Sequence, residues 1–456
     1  MNSALFLTIF SALGILYFII GIYSAKNIKT NDDYFLAGRD LGLWPVMFTL
    51  IATQLGGGML LGTAEKSYAI GYWGILYTLG MSLGFLLLGL GFAAKLRSLN
   101  VATTAELFET KYHSPNLKKI ASLLSIATMC GILIAQVVAS RALLNGLNIN
   151  NEYILFTFWA FIIIYTMIGG LKAVVVTDVA QVWVIILIFG GIFVYNLFTE
   201  PASFFLLTAL AHLQQNFSLK GISTSSLIAT ITLPALFSLI EQDLAQRFFA
   251  SRTQRIAALS AIGSSIFLLI FSLIPIYYGM KGQLMNLNLP LGASPLIPVI
   301  EILTNEYVVM FAVCGIIAAI TSTANSLLCA VSSNVAQDFN FSFLGIKDQV
   351  KVSQLITLIT GVVTLVASYF VPQDIISLLI SSYEISVSCL LVPLLFAYFG
   401  SNLHKNGAIG GIIGGLIGFF AFRIYPIPVP ELAAILLSLV GYLIGDRIKH
   451  YTPHNR

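Results

Sequence analysis

The sequence predicts an all-α polytopic membrane protein, and three observations carry that reading. Of 456 residues, 58% are hydrophobic and only 9% are charged, whereas a soluble domain carries about 25% charged residues. Apolar runs of about 20 residues recur along the whole chain, each long enough to cross roughly 30 Å of hydrocarbon. The alternating segments of about 10 residues that build a membrane β-barrel are absent.

Thirteen spans follow in order. The first, 4–23, has no basic leader region and no small-residue cleavage site, so it reads as a retained helix. Spans 43–68, 74–94, 120–147, 152–170 and 173–198 come next, with a polar connection at 95–119. After the connection 199–221 come 222–248 and 256–279, and after 280–306 come 307–334, 352–371 and 374–398. The last two are 407–423 and 428–446, with only a short tail beyond them. GAIGGIIGGLIGFF (407–420) repeats small residues at the spacing of close helix packing.

With the N-terminus outside, eighteen Lys and Arg fall on the inner side, among them Lys26, Arg39, Arg97, Lys118, Lys172, Arg247 and Lys351. Five fall elsewhere: Lys66, Arg141, Lys220, Lys281 and Arg423. That asymmetry fixes the orientation, and an odd number of spans then puts the C-terminus inside. Cys130, Cys314, Cys329 and Cys389 all lie within spans, and no pair has zinc or redox spacing.

Two spans carry residues that lipid tolerates poorly. The stretch ATQLGGGMLLGTAE (52–65) sets Gln54, Gly56, Gly57, Gly58 and Glu65 inside an apolar run. Three glycines alone would suit a packing face. Glutamine and glutamate are not needed for packing, and they favour an unwound segment whose backbone faces a cavity. Five spans later, Pro234 interrupts 222–248 ahead of Glu241, Gln242, Asp243 and Gln246. Breaks at matching positions of two halves point to a transporter's central site. The spacing divides one transmembrane unit, 1–456, into an extra helix (4–23), a first five-helix repeat (43–198), a second (222–398) and two extra helices (407–446).

A third element, AAITSTANS (318–326), clusters the hydroxyls of Thr321, Ser322, Thr323 and Ser326 beside Asn325. Such hydroxyls often bond back to their own helix. They also suit Na+, a hard cation that takes oxygen ligands. Intramembrane carboxylates mark function because they are costly to keep in lipid. Glu241 qualifies, as does Glu384, which sits beside Tyr383 in SSYEISVS. Tyr68, Tyr72, Trp73, Phe237 and Tyr383 are candidate cavity lids.

DDYFLAGRDLG (32–42), GGLKAVVVTDVAQ (169–181), QRFFASRTQ (246–254) and AAITSTANS resemble the sodium:solute symporter family, in that order and over nearly the whole chain. The resemblance implies a LeuT-type 5+5 inverted repeat formed by spans two to eleven. It places a Na+ site on the backbone carbonyls of Ala52, Leu55 and Ala319 and the hydroxyls of Ser322 and Thr323. It also places Asp178 on the inner ion exit path and Arg39 at the cytoplasmic gate. Solute would meet Gln54, Gly56, Gly57, Gly58, Glu241, Gln242, Tyr383 and Glu384.

Within the family, the A-T-x-x-G-G-G pattern looks closest to the choline-transporter branch. That branch carries tryptophans where Gln54 and Glu241 stand here. Aromatic faces hold quaternary ammonium groups, so their loss turns the expectation toward a solute with hydrogen-bonding groups, such as an amino acid or amine.

The expected function is therefore Na+-coupled symport of a small polar organic solute by alternating access, in a bacterial inner membrane. The alternatives are choline uptake, a proton-coupled carrier with a raised-pKa carboxylate, and a membrane solute sensor. No nucleotide-binding or H-E-x-x-H pattern occurs, so neither an enzyme nor a transition metal is expected. Na+ is the coupling ion and no cofactor is implied. The expected partners are the solute, Na+ and membrane lipid, with no nucleic acid and no obligatory protein.

Overall fold

The computed structural model describes residues 3–25, 30–147, 149, 151–199, 223–289, 293–341, 348–401, 403–425 and 427–448. Nearly all of the connection 199–221 with Lys220, and the basic residues Lys26, Lys347 and Lys449, lie outside the described residues.

The described chain is helical, with one isolated β-bridge. Helices start where the sequence offers a side chain to the free backbone N–H groups of the first turn. Ser114 accepts from the Leu117 N–H ahead of the Pro115–Gly146 helix, and Pro115 fills its first position, where no N–H is needed. Asn305 accepts from both Tyr307 and Val308 at the start of Glu306–Asp338.

Nine helices among the described residues are long and apolar enough to span a membrane. The difference from thirteen lies partly in two places where the chain turns without losing its helical run. One is Gly71, with φ 63°, within Gly58–Ser98. The other is Gly170, with φ 53°, within Glu152–Thr199. Only glycine adopts such φ at little cost. At Gly170 the turn is sharp: Tyr165 Oη donates to Thr177 Oγ1 at 2.8 Å. Twelve residues of straight helix would separate them by about 18 Å. Two further apolar helices, Gly14–Tyr23 and Leu43–Gln54, fall short in length, and the second is short because its span is broken.

Glu306–Asp338 sits centrally, packed against Glu152–Ile185, Pro115–Gly146 and Gln349–Ala367. It is buried along nearly its whole second half, hydroxyls included. The two last helices, Lys405–Ile424 and Pro430–Arg447, pack on each other and on Ile375–Phe399. A Cβ at Gly414 would strike the Leu437 carbonyl, and one at Gly415 the Ser388 carbonyl. The glycine-rich stretch is thus a packing face. Gly415→Val should destabilise the protein by about 1–3 kcal/mol through forced separation of these helices, read as a lower melting temperature in detergent.

The β-bridge joins Leu41 and Ser251. Leu41 N–H donates to the Ala250 carbonyl at 3.1 Å, and Arg252 N–H to the Leu41 carbonyl at 2.9 Å. Leu41 precedes the helix Leu43–Gln54, whereas Ser251 follows the helix Gln242–Ala250. These two helices therefore leave one membrane face in opposite chain directions.

Candidate functional site

The helix Leu43–Gln54 stops at Leu55, and a wide π turn at Gly58–Gly62 leads into Thr63–Ile70. The three glycines bring this break against three other helices. A Cβ at Gly56 would meet Thr323 and Gln136, one at Gly57 would meet Ala139, and one at Gly58 would meet Leu379. A buried N–H freed by the break needs a partner, and Gly57 N–H donates to Gln136 Oε1 at 2.9 Å. Packing and unwinding, set against each other above, are thus both present.

Oxygens converge beside the break. Ser322 Oγ donates to the Ala52 carbonyl at 3.0 Å and lies 2.9 Å from the Ala319 carbonyl. Thr323 Oγ1 reaches the Thr53 carbonyl at 2.9 Å, the Ala319 carbonyl at 3.2 Å and the Ala52 carbonyl at 3.5 Å. A hydroxyl has one donor and two acceptor lone pairs. Each can therefore keep a carbonyl partner while presenting a lone pair to a cation. Leu55, whose carbonyl completes the expected set, is buried at the break itself. Thr321 instead bonds back to its own helix at Ile317 and Ala318 and accepts from Gln181 Nε2.

The second break lies between Thr224–Phe237 and Gln242–Ala250. Glu241 is extended there, with φ −64° and ψ 123°. The Leu239 carbonyl accepts from Tyr398 Oη at 3.0 Å. The two breaks meet: Gln54 Nε2 lies 3.4 Å from Glu241 Oε2. Between them is a cavity of about 20 Å³, lined by Gln54, Gly56, Gly58, Tyr77, Gln136, Glu241, Asp243, Thr323 and Tyr383 among others. Tyr77 and Tyr383 share a hydrogen bond at 3.0 Å, and Phe237 stacks on Tyr383. Tyr77 also lines a second cavity of about 470 Å³, shared with Lys66, Trp73, Thr230 and Ile376. Tyr77, bonded to Tyr383, thus stands between a small inner cavity and a wider one.

A buried polar network continues from the oxygen cluster toward the Leu41–Ser251 bridge. Arg247 Nε donates to Thr49 Oγ1 at 3.0 Å, and its Nη1 and Nη2 reach the Asp243 carbonyl and Ser326 Oγ. Its guanidinium lies 3.7 Å from Asp178 Oδ2, and both side chains are 0% exposed. Thr49 Oγ1 donates to the same Asp178 oxygen, and Thr53 Oγ1 lies 3.0 Å from Ser326 Oγ. The charge count above set Arg247 among the inner loops. The structure corrects this, because the helix Gln242–Ala250 carries it wholly into the core.

Other predicted site residues are placed elsewhere. Glu384 pairs with Arg423 at 2.8 Å and does not line the cavity. Gln242 accepts from Thr104 N–H and Oγ1, so it holds the 95–119 connection instead of facing solute. Gly57 is filled in by Ala139 and Gln136. Arg39 pairs with Asp32 at 3.7 Å and donates to the Val101 carbonyl, at the same end of the molecule as Leu41. Lys66 pairs with Asp374, not with neighbouring Glu65.

Sequence reasoning missed Thr49, Thr53, Tyr77, Gln136 and Arg247. Gln136 had a usable signal, an amide alone inside the apolar run GILIAQVVAS. Arg247 had one too, standing one helical turn after Asp243.

Residues 34–415 match the family model described as the sodium:solute symporter family. The chain is 25% identical to the human high affinity choline transporter 1, over 88% of this chain and 74% of that protein. It is also 25% identical to the sodium/pantothenate symporter of Escherichia coli, over 96% and 95%. Among solved structures, a Na+-coupled sialic acid symporter in a substrate-bound outward-open state superposes with a TM-score of 0.77, at 19% identity, covering 96% of this chain and 97% of that one. Mhp1, a nucleobase-cation-symport-1 family transporter, superposes with a TM-score of 0.58 at 11% identity, covering 91% and 95%. The fold is the one these transporters share.

Proposed function

Since the chain belongs to the sodium:solute symporter family, we propose that its two broken helices hold Na+ and a small polar organic solute for coupled transport. Na+ sits on the carbonyls of Ala52, Leu55 and Ala319 and the hydroxyls of Ser322 and Thr323. The observation that carries this is the convergence of Ser322 and Thr323 on the Ala52 and Ala319 carbonyls beside an unwound backbone. Na+ bridges the first broken helix to Glu306–Asp338, which favours the conformation able to take solute. Solute binds between Gln54, Gly56, Gly58, Glu241 and Tyr383, beneath the Tyr77–Tyr383 lid. On the inner side, Asp178 borders the path by which Na+ leaves, and Arg39 stands at the mouth.

Residues 43–198 and 222–398 form two inverted five-helix repeats within thirteen spans, N-terminus outside and C-terminus inside. The opposed directions of the helices on either side of the Leu41–Ser251 bridge support that inversion. The protein is integral to the membrane, and a bacterial inner membrane suits it. A quaternary amine such as choline is the second reading. The likeness to choline transporters favours it, whereas the amide of Gln54 and the carboxylate of Glu241 in the cavity weigh against it.

Na+ should raise the melting temperature of the purified protein where K+ at equal ionic strength does not, because binding to the folded state stabilises it. Equal melting in the two salts would sink the Na+ reading.

A further inference from the structure

In and beside the inner cavity acid groups outnumber bases: among the described residues three buried carboxyl groups, Glu241, Asp243 and Asp178, surround one buried guanidinium, Arg247. Glu241 and Asp243 both line the cavity, and both are buried. Their carboxylates are close enough to interact. Asp243 Oδ1 takes the Leu244 N–H, but no N–H among the described residues reaches Oδ2 although the side chain is 0% exposed. Glu241 takes the Gln54 amide at 3.4 Å and lies within hydrogen-bonding reach of the Asp243 carboxyl group. No Lys, Arg or His is among the described residues lining the cavity. The nearest guanidinium, Arg247, is already engaged by Thr49, Ser326, Asp178 and the Asp243 carbonyl. Arg247 lies 3.7 Å from Asp178 and its charge also acts on Glu241 and Asp243, so one guanidinium serves three buried carboxyl groups. Buried charges are kept only when paired.

The cavity is also poor in what an anionic group would need. The N–H freed at the first break, Gly57, is occupied by Gln136 Oε1. Among the described residues no guanidinium or ammonium lines the cavity. What lines it is mostly acceptor: two carboxyl groups and the Gln54 carbonyl oxygen, beside one O–H of the bonded Tyr77–Tyr383 pair. Its volume of about 20 Å³ admits one water-sized group, which an ammonium head matches. Among the described residues two aromatic rings, Tyr77 and Tyr383, line it, fewer faces than an aromatic cage for a quaternary nitrogen uses.

We propose that the transported solute is a small cationic amine bearing N–H groups and no carboxylate, its ammonium head held between Glu241 and Asp243 under the Tyr77–Tyr383 lid. This rests on the solute site proposed above. It narrows the solute class from any polar molecule to one that supplies the missing positive charge.

The test uses the purified full chain in detergent and follows thermal unfolding in NaCl with ethanolamine, 1,4-diaminobutane, choline, glycine and ethylene glycol. A rise in melting temperature with at least one of the two N–H amines, exceeding that with choline, glycine or the glycol, supports the proposal. Glu241→Gln, nearly identical in shape, should then raise the amine concentration giving the half-maximal shift by about tenfold or more. Asp243→Asn is a second, independent variant with the same expectation.

A larger shift with glycine or the glycol overturns the proposal, as does no shift with either amine. Amine affinity left unchanged by both substitutions also overturns it. Stabilisation by mildly acidic buffer in place of the amines would mean that the carboxylates hold protons, and that overturns it too. Each of these can occur with the NaCl-specific shift intact, so symport would survive. Loss of the NaCl shift with amine binding retained would sink the Na+ reading and leave this one standing.

Discussion

Replacing Ser322 and Thr323 together by alanine will abolish the Na+ dependence of transport and of thermal stability while leaving a folded protein. The two hydroxyls account for every side-chain oxygen in the expected Na+ set, and the other members are backbone carbonyls. Altering groups that merely support a metal's ligands commonly costs 10–100-fold in affinity, so loss of two ligands should weaken Na+ at least about a hundredfold. Folding should tolerate the change. Both hydroxyls bond the Ala319 carbonyl within their own helix, which keeps its backbone partners, and each replacement removes little volume from a packed helix. Radiolabelled Na+ binding, with melting in NaCl and KCl, measures it. Wild-type Na+ affinity in the double variant would remove the site from these residues.

Removing the Arg247 guanidinium will be the most destabilising single change in the core. Arg247 and Asp178 are both wholly buried, 3.7 Å apart, and Arg247→Ala strands a carboxylate with only Thr49 as partner. Breaking a buried pair from one side costs roughly 3–5 kcal/mol. Asp178→Asn should cost less, since the amide can still accept from Thr49 and Arg247 keeps Thr49, Ser326 and the Asp243 carbonyl as acceptors. The double variant Arg247→Met with Asp178→Asn should recover much of the loss, because apolar or neutral replacements of a buried pair are often tolerated. Thermal unfolding in detergent gives all three. An additive outcome, with the double variant worse than Arg247→Ala, would show that the pair is not the unit of stability here.

What the sequence made legible follows from solvent. In lipid, an amide, a carboxylate or a proline inside an apolar run is conspicuous, so both breaks and the hydroxyl cluster could be located from residues alone. What it hid was direction. Neighbours on a helix point about 100° apart, so Tyr383 faces the cavity while Glu384, one residue on, reaches Arg423 on the next helix. Gln242 is lost in the same way between Glu241 and Asp243, and turns to Thr104. Arg247 was hidden by a rule that counts basic residues near helix ends as loop anchors. Nothing in the one-dimensional pattern says that this helix end is covered by Leu43–Gln54 and Glu306–Asp338. The span count differs for another reason: the sequence divides 152–170 from 173–198 at Gly170 and Lys172, and the chain does reverse there, but within one continuous helical run, Glu152–Thr199.

The short bridge between Leu41 and Ser251 bears on how the molecule can move. Two main-chain hydrogen bonds tie the start of one broken helix to the end of the other, and Arg252 adds an ion pair to Asp40 at 2.6 Å. Any motion that opens a passage on that face has two choices. It swings both helices as one lever, or it snaps both bonds together, at about 0.5–1.5 kcal/mol each. The first choice keeps the relative position of the two breaks fixed through the stroke and puts the hinge outside them. The second turns this clasp into a latch whose rupture adds to the barrier, so its strength would appear in turnover and not in affinity.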